Sequence, residues 1–307
     1  MTPTMSTDKL MTLAQAIGQF VPDGSSVVLG TALELVIPFA AGHELIRQRR
    51  RDLTLIGPIS DILFDQLIGA GCVRAVRAAW VGNVITGSGY NFRRAVEGGT
   101  VAVEDHSNLT LALALRAGAQ GVPFLPTRTA LGSDLFKTNF SLKTITCPFT
   151  GETLTAVAAI VPDVALLHVQ RSDAQGNAHL WGNFGVTREA SLASQQVIIC
   201  AEEIVAPEII ASDPNRVVTP GFRVSAVVHA PWGAHPSPVP GYYNRDHQVY
   251  LDYQRDSQTP EKFAAWQARW VDGVRDSDDY LAQLGPERTA SLRLKQQALA
   301  AAVDYGY

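Results

Sequence analysis

The chain has 307 residues, with 25 Lys and Arg against 29 Asp and Glu, a formal net charge of −4, 46% hydrophobic and 18% charged residues. That composition describes an ordinary globular chain and excludes collagen-like repeats, intrinsic disorder and small disulfide scaffolds. The negative balance lacks the basic stripe that a nucleic-acid binder needs, so no nucleic-acid partner is expected.

Segments of helical period alternate with short apolar runs, which predicts an α/β fold with an open, mostly parallel sheet flanked by helices. LMTLAQAIGQF reads as a first helix, and a turn at Pro22-Asp23-Gly24 leads into a buried strand, Ser26 to Leu29, that stops at Gly30. ALELVIPFAAGHELIRQRR is read as helical with a break near Pro38. Its basic end, RQRRR (Arg47 to Arg51), sits where cations offset the helix dipole, with attraction of a phosphate-bearing ligand as the second reading. LTLIGP (Leu53 to Pro58) is the second strand, ILFDQLIGAG a helix stopped by Gly69 and Gly71, and VRAVRAAWVG a third strand leaving at Gly82. FRRAVEGG is a short helix, Thr100 to Glu104 a strand, and SNLTLALALRAGAQG a helix capped by Ser107 or Asn108.

Residues Pro123 to Glu152, mixed in Pro, Thr, Ser and Gly, are read as a long ordered loop, and long loops in α/β domains tend to be functional. Two strands follow around Pro162, then a turn-rich GNAHLWGN, a helix in TREASLASQQ, and strands in QVIICAEEIV and RVSAVVHA. From Thr259 onward the pattern is helical, through PEKFAAWQARWVDGV, DDYLAQLG and PERTASLRLKQQALAAAV.

Three cysteines, Cys72, Cys147 and Cys200, lie far apart without a CxxC, and the seven histidines form no HExxH pair. Neither a disulfide framework nor a metal site is expected. The opening residues are too polar for a secretory signal and no run reaches 18 apolar residues, so the expectation is a cytoplasmic protein with no membrane partner.

Ligands in open α/β sheets bind outside the carboxyl ends of the strands, so those ends hold the candidate residues. Gly30-Thr31 turns from strand to helix without the GxGxxG or Walker pattern of a nucleotide site. Exposed N–H groups there could hold an anion or a carbonyl oxygen. Glu104, Asp105 and His106 occupy a strand exit beside a helix start, a position suited to general-base or electrostatic work. The plainer reading of those acids is compensation of the helix dipole. The aromatic and proline-rich stretch His229 to Tyr250 would be costly to leave exposed; it either packs on the chain's own core or forms an interface with another chain.

Taken in order, VVLG with Pro38, HELIRQ, LTLIGP, RAAWVG, FRRAVEGG, VEDHSN, GVPFLPTRTALGSDL, PFTGE, PDVALLHVQRSDAQGNAHLWG, CAEEIV and PWGAHPSPVPGYY resemble the alpha subunit of family I CoA-transferases, nearest to the glutaconate CoA-transferase branch. The likeness covers about residues 10 to 255. Gly30-Thr31-Ala32 stands where the 3-oxoacid type carries a GGF triplet, and Val36 replaces a later glycine. The resemblance implies an α/β domain over 1–255; the C-terminal helical extension expected over 256–307, packed on it, fits by pattern only.

It also implies a partner in the form of a similarly folded beta subunit, acyl-CoA and carboxylic acid substrates, and coenzyme A thioester as substrate with no permanently bound cofactor. In such enzymes a beta-subunit glutamate becomes the CoA thioester. This chain would line the acyl pocket through Gly30, Thr31, Gly82, Asn83, Glu104 and Asn108. Ring-opening hydrolases of steroid degradation share the fold, and there the resemblance would make Glu104 the residue that assists water.

Overall fold

The computed structural model describes residues 8–294. Seven parallel strands form its centre: β1 (Ser26–Val28), β2 (Leu53–Ile59), β3 (Val73–Trp80), β4 (Ala102–Asp105), β5 (Val164–Ser172), β6 (Gln196–Ile204) and β7 (Ala226–His229). They lie side by side in the order β7-β6-β5-β1-β2-β3-β4. Ala178–His179 pairs antiparallel with the outer end of β5, and Val217–Thr219 pairs antiparallel with Ala178–His179. The chain builds outward from β1 in both directions, so the topological switch falls between β1 and β5, where open sheets form their ligand crevice.

The strands read as near-continuous apolar runs because both faces are covered. Val27 faces one core with Ile17, Leu45, Phe64, Leu67 and Leu166; its neighbour Val28 faces the other with Ile56, Leu111, Leu115 and Val197. The first core is roofed by α1 (Leu13–Phe20), α2 (Phe39–Arg47) and α3 (Leu63–Gly69), and α4 (Tyr90–Glu97) packs beside α3. The second is roofed by α5 (Asn108–Gln120) and α6 (Thr187–Ala193). Thr12 and Gln15 form a capping box on α1; on α5 the cap is Ser107, whose hydroxyl accepts from the Thr110 N–H.

Beyond the sheet come α7 (His247–Asp256), α8 (Pro260–Gln267), α9 (Ser277–Leu284) and α10 (Pro286–Leu292). Tyr250, Tyr253, Phe263, Trp266 and Val271 belong to the same buried cluster as Ile17 and Phe64. The aromatic and proline-rich stretch packs inward as well: Trp232, His235, Tyr243 and Tyr250 are all buried. The helical reading of PERTASLRLKQQALAAAV holds for Pro286–Leu292, and residues 295–307 lie outside the described residues. Among the described residues no helix is long and apolar enough to cross a membrane.

Two readings from the sequence change. Residues 32–38 are not helical; α2 begins only at Phe39, and Leu33 and Val36 take φ of 62° and 46°. Tertiary hydrogen bonds replace helical ones here, because Val36 N–H donates to Pro238 O and Ile37 N–H to Ser237 Oγ. The stretch from Pro123 to Glu152 is not a loop. It supplies the two outer strands, Phe124–Thr127 and Leu142–Thr146, of an antiparallel sheet centred on Thr153–Ala158. Pro126 hid the strand signal, yet proline is tolerated on an edge strand because one side of its backbone pairs with nothing.

The exits of β1 and β2 approach so closely that only glycine fits at 30, where φ is 67° and a Cβ would meet Ser60 Oγ at 2.1 Å and Ile59 O at 2.8 Å. Gly30→Ala should cost about 3 kcal/mol, combining left-handed strain with steric overlap. Gly24→Ala, where φ is also positive but nothing lies within 4 Å, should cost about 1 kcal/mol. Urea unfolding of the two variants measures the difference; equal losses would mean the contact at Gly30 relaxes freely.

Candidate functional site

The strand exits put Gly30, Ser60-Asp61 and Gly82-Asn83 on adjacent strands β1, β2 and β3. Ser60 Oγ donates to Leu29 O at 3.1 Å, tying the first two exits together. Thr31 is buried, with its hydroxyl 2.8 Å from that of Thr187 and its carbonyl accepting from Val186 N–H at 2.8 Å. Gly185, at φ 49°, is required there because a Cβ would lie 2.1 Å from Thr31 O. Thr31 therefore fixes the turn from inside.

Gly82 and Asn83 open a two-stranded ribbon with Gly87–Ser88. Asn83 is buried; its carbonyl oxygen accepts from Ile85 and Thr86 N–H, and its amide donates to Asp61 Oδ1. Asp61 is 1% exposed and takes a left-handed φ of 54°, a region that aspartate enters more readily than most residues. Its other oxygen is 2.9 Å from Arg245 Nη2, and Arg245 Nη1 reaches Glu34 Oε2 at 3.0 Å. The guanidinium lies 4.3 Å over the Tyr250 ring. One arginine thus clamps the loop after β1, the exit of β2 and, through Asn83, the exit of β3. Burial raises Asp61 to about 6, although Arg245 and Asn83 pull it back toward the ionised form. Glu34, with a side chain 37% exposed, is the acid of this group that reaches solvent.

Glu104 stands apart from these residues. It pairs in register with Arg77 on β3, on the edge strand β4. Three strand spacings separate β4 from β1, about 14 Å. Its carboxylate is fully engaged: Oε2 meets Arg77 Nε at 3.0 Å, and Oε1 accepts from Ser141 Oγ at 2.7 Å and faces His106 Nε2 at 3.2 Å. Half-burial acts to raise its pKa, but the His106 and Ser141 hydrogen bonds and the Arg77 charge outweigh it and hold Glu104 at about 2. Such a group stabilises nearby positive charge well and takes up a proton poorly. Asn108, the first residue of α5, is exposed two residues beyond the buried His106.

The structure therefore gathers Gly30, Gly82 and Asn83 around Ser60-Asp61, buries Thr31 behind them, and leaves Glu104 and Asn108 at the sheet edge. Asp61, Arg245 and Glu34 escaped the sequence reading. Asp61 follows a strand exit, the same signal that singled out Glu104, whereas nothing local marks Arg245 as its partner. Among the described residues no group of three His, Cys, Asp or Glu is placed to hold a metal ion.

Residues 10–230 match the model of the coenzyme A transferase family. The chain is 42% identical over 279 residues to the A-type subunit of the 3-oxoadipate CoA-transferase of Pseudomonas knackmussii, covering 90% of this chain and 98% of that one. It is 35% identical to the A-type subunit of the glutaconate CoA-transferase of Acidaminococcus fermentans, over 93% of this chain and 95% of the relative. The crystal structure of that organism's glutaconate coenzyme A-transferase superposes with a TM-score of 0.90 over 96% of this chain and 98% of the other, at 33% identity. The cholesterol ring-cleaving hydrolase IpdA subunit of Rhodococcus jostii is 29% identical over 90% of this chain and 95% of its own length.

Arg245→Met would strand the buried Asp61 carboxylate. Removing one partner of such a pair costs about 3–5 kcal/mol. Asp61 already titrates near 6 against an ordinary 3.8, so protonation relieves an unpaired carboxylate below that value. The loss should be full at pH 8 and clearly smaller at pH 5 by urea unfolding; the same loss at both would show that Asp61 is not the stranded group.

Proposed function

Because this chain belongs to the coenzyme A transferase family, matched over residues 10–230, we propose that it is the alpha-type subunit of a two-chain CoA-transferase whose reacting glutamate lies on a beta subunit. The observation that carries this is the engagement of the chain's own strand-exit acids. Glu104 has three partners and titrates near 2; Asp61 is buried and clamped by Arg245. Neither is placed to attack a thioester without first breaking an ion pair.

The partner's glutamate attacks the acyl-CoA carbonyl, expelling the CoA thiolate and leaving an acyl-glutamyl anhydride. The thiolate then attacks the glutamyl carbonyl, releasing the first acid and forming a glutamyl-CoA thioester. A second acid runs the sequence backwards and leaves as its own CoA thioester. This chain's part is to shape the pocket with the exits of β1, β2 and β3 held rigid by Arg245, and to present N–H groups near Gly30 to the developing oxyanion.

Glutaconate and 3-oxoadipate, the acids named for two relatives, are both dicarboxylates, which supports a short dicarboxylic acid as the substrate class. A second reading rests on the likeness to the ring-cleaving hydrolase: the alpha-type chain of an acyl-CoA hydrolase in which Glu104 assists water. The depressed pKa of Glu104 makes it the weaker reading.

Borohydride trapping separates them. The chain is co-expressed with its beta subunit, incubated with acyl-CoA and reduced. A loss of about 14 Da from one beta-subunit glutamate, as its thioester becomes an alcohol, is the expected result. An unchanged beta subunit together with water-dependent thioester loss would overturn the transferase. Glu104→Gln should lower transferase turnover by roughly tenfold while leaving the trapped mass in place; a hydrolase would lose all activity.

A further inference from the structure

A cavity of about 770 Å³ opens at the opposite edge of the sheet, beside β7, on the order of 30 Å across six strand spacings from the Glu104 edge. None of the residues at the exits of β1 to β4 lines it. Its size falls in the range of small-molecule sites. Phe39, Val228, Trp232 and Val274 give it apolar walls.

Its charges are already spent within the protein. Glu44 pairs with Arg47 at 2.8 Å and accepts from Gln48 Nε2 at 2.7 Å; Arg275 pairs with Asp279 at 2.6 Å; Asp276 caps α9 by accepting from Asp279 N–H at 2.9 Å. The lining cations and anions balance, so a charged molecule moving against these walls would give up hydration without gaining a free countercharge. His43, buried in the cavity wall, turns Nε2 to Gln66 Oε1 at 3.0 Å. With the Gln66 oxygen as acceptor, Nε2 carries the proton and Nδ1 is left as a lone-pair acceptor with no protein partner among the described residues. Burial, with the nearby Arg47 charge, lowers the His43 pKa to about 4, so the ring is neutral at pH 7.

The wall is also held under strain. Trp232 adopts φ 61°, an outlying conformation for a bulky side chain. Its N–H is fixed by buried Glu202 at 2.8 Å, and its ring stacks on Tyr243 at 4.3 Å. Glu202 is itself held by His168 at 2.8 Å and by the Tyr243 hydroxyl at 2.7 Å. This buried network holds Trp232 in the cavity wall at the cost of backbone strain, which clusters at ligand sites among other functional positions.

We propose that this cavity is a binding site for an uncharged, mainly apolar molecule bearing a hydroxyl, which would lie along Trp232 and Phe39 and donate its O–H to His43 Nδ1. The site stands independently of the transferase reading. The test is isothermal titration of the full-length protein, together with any second chain that co-purifies, using three probes of one shape: 4-cyclohexylphenol, its methyl ether and 4-cyclohexylbenzoate. Saturable binding of the phenol at one per chain is expected, with the ether and the benzoate each weaker by roughly tenfold or more, the loss of one buried hydrogen bond or the burial of an unpaired charge. Ala40→Trp should fill the cavity and remove phenol binding; Ala14→Trp, at an exposed lining position where folding is not at risk, should do the same. Failure of the phenol to saturate, binding of the benzoate as tight as the phenol, or unchanged phenol binding in Ala14→Trp would overturn the proposal, including the case in which a second chain occupies the cavity.

Discussion

The close approach of β1 to β2 is the constraint on which the site depends. A Cβ at Gly57 would sit 2.3 Å from Leu29 O, and one at Gly30 would sit 2.1 Å from Ser60 Oγ. Two glycines therefore let the central strand run on past its neighbour and turn away at the topological switch. Asp61 follows at once in a left-handed conformation. Arg245 then joins Asp61 to Glu34, and Asp61 also accepts from Asn83, so three consecutive strand exits are tied together. Steric closeness comes first, and the electrostatics are built on it.

On the proposed transferase reading, that clamp would keep the chain's own acids Asp61 and Glu34 from acting as nucleophiles. Buried ion pairs contribute little net stability against an apolar alternative, but they punish any rearrangement. Arg77, His106 and Ser141 hold Glu104 in the same way at the sheet edge. On the proposed reading the chain would present a rigid wall, backbone donors and fixed charge, and the reacting carboxylate would come from a partner. Rigid placement of donors before charge develops is the larger part of catalysis by such sites.

Much of the fold was legible because short-range rules governed it. The apolar runs LTLIGP and VALLHV declared strands, and Ser107 declared a helix start. Long-range contacts decided the rest. Residues 32–38 carry a helical pattern, yet hydrogen bonds to Ser237 and Pro238 pull them into turns. The strand at Phe124–Thr127 hides behind Pro126, which its edge position tolerates. In the site, Glu104 and Gly30 were visible as strand exits. Arg245 was not, since it meets Asp61 from 184 residues away, and a guanidinium gives no local sign of which carboxylate it will hold. The ordered set of motifs carried the family further than any single residue did.

The mechanism is decided by which chain carries the carboxylate that meets the thioester. A structure of the two-chain complex with a non-hydrolysable acyl-CoA bound would decide it directly. The prediction is that the thioester analogue lies against the exits of β1 to β3, with a glutamate of the second chain in attack position at roughly 3–3.5 Å from its carbonyl carbon, while Glu104 keeps Arg77, His106 and Ser141. A structure in which Glu104 has left those partners and points at the carbonyl, with no carboxylate from the second chain nearby, would contradict it.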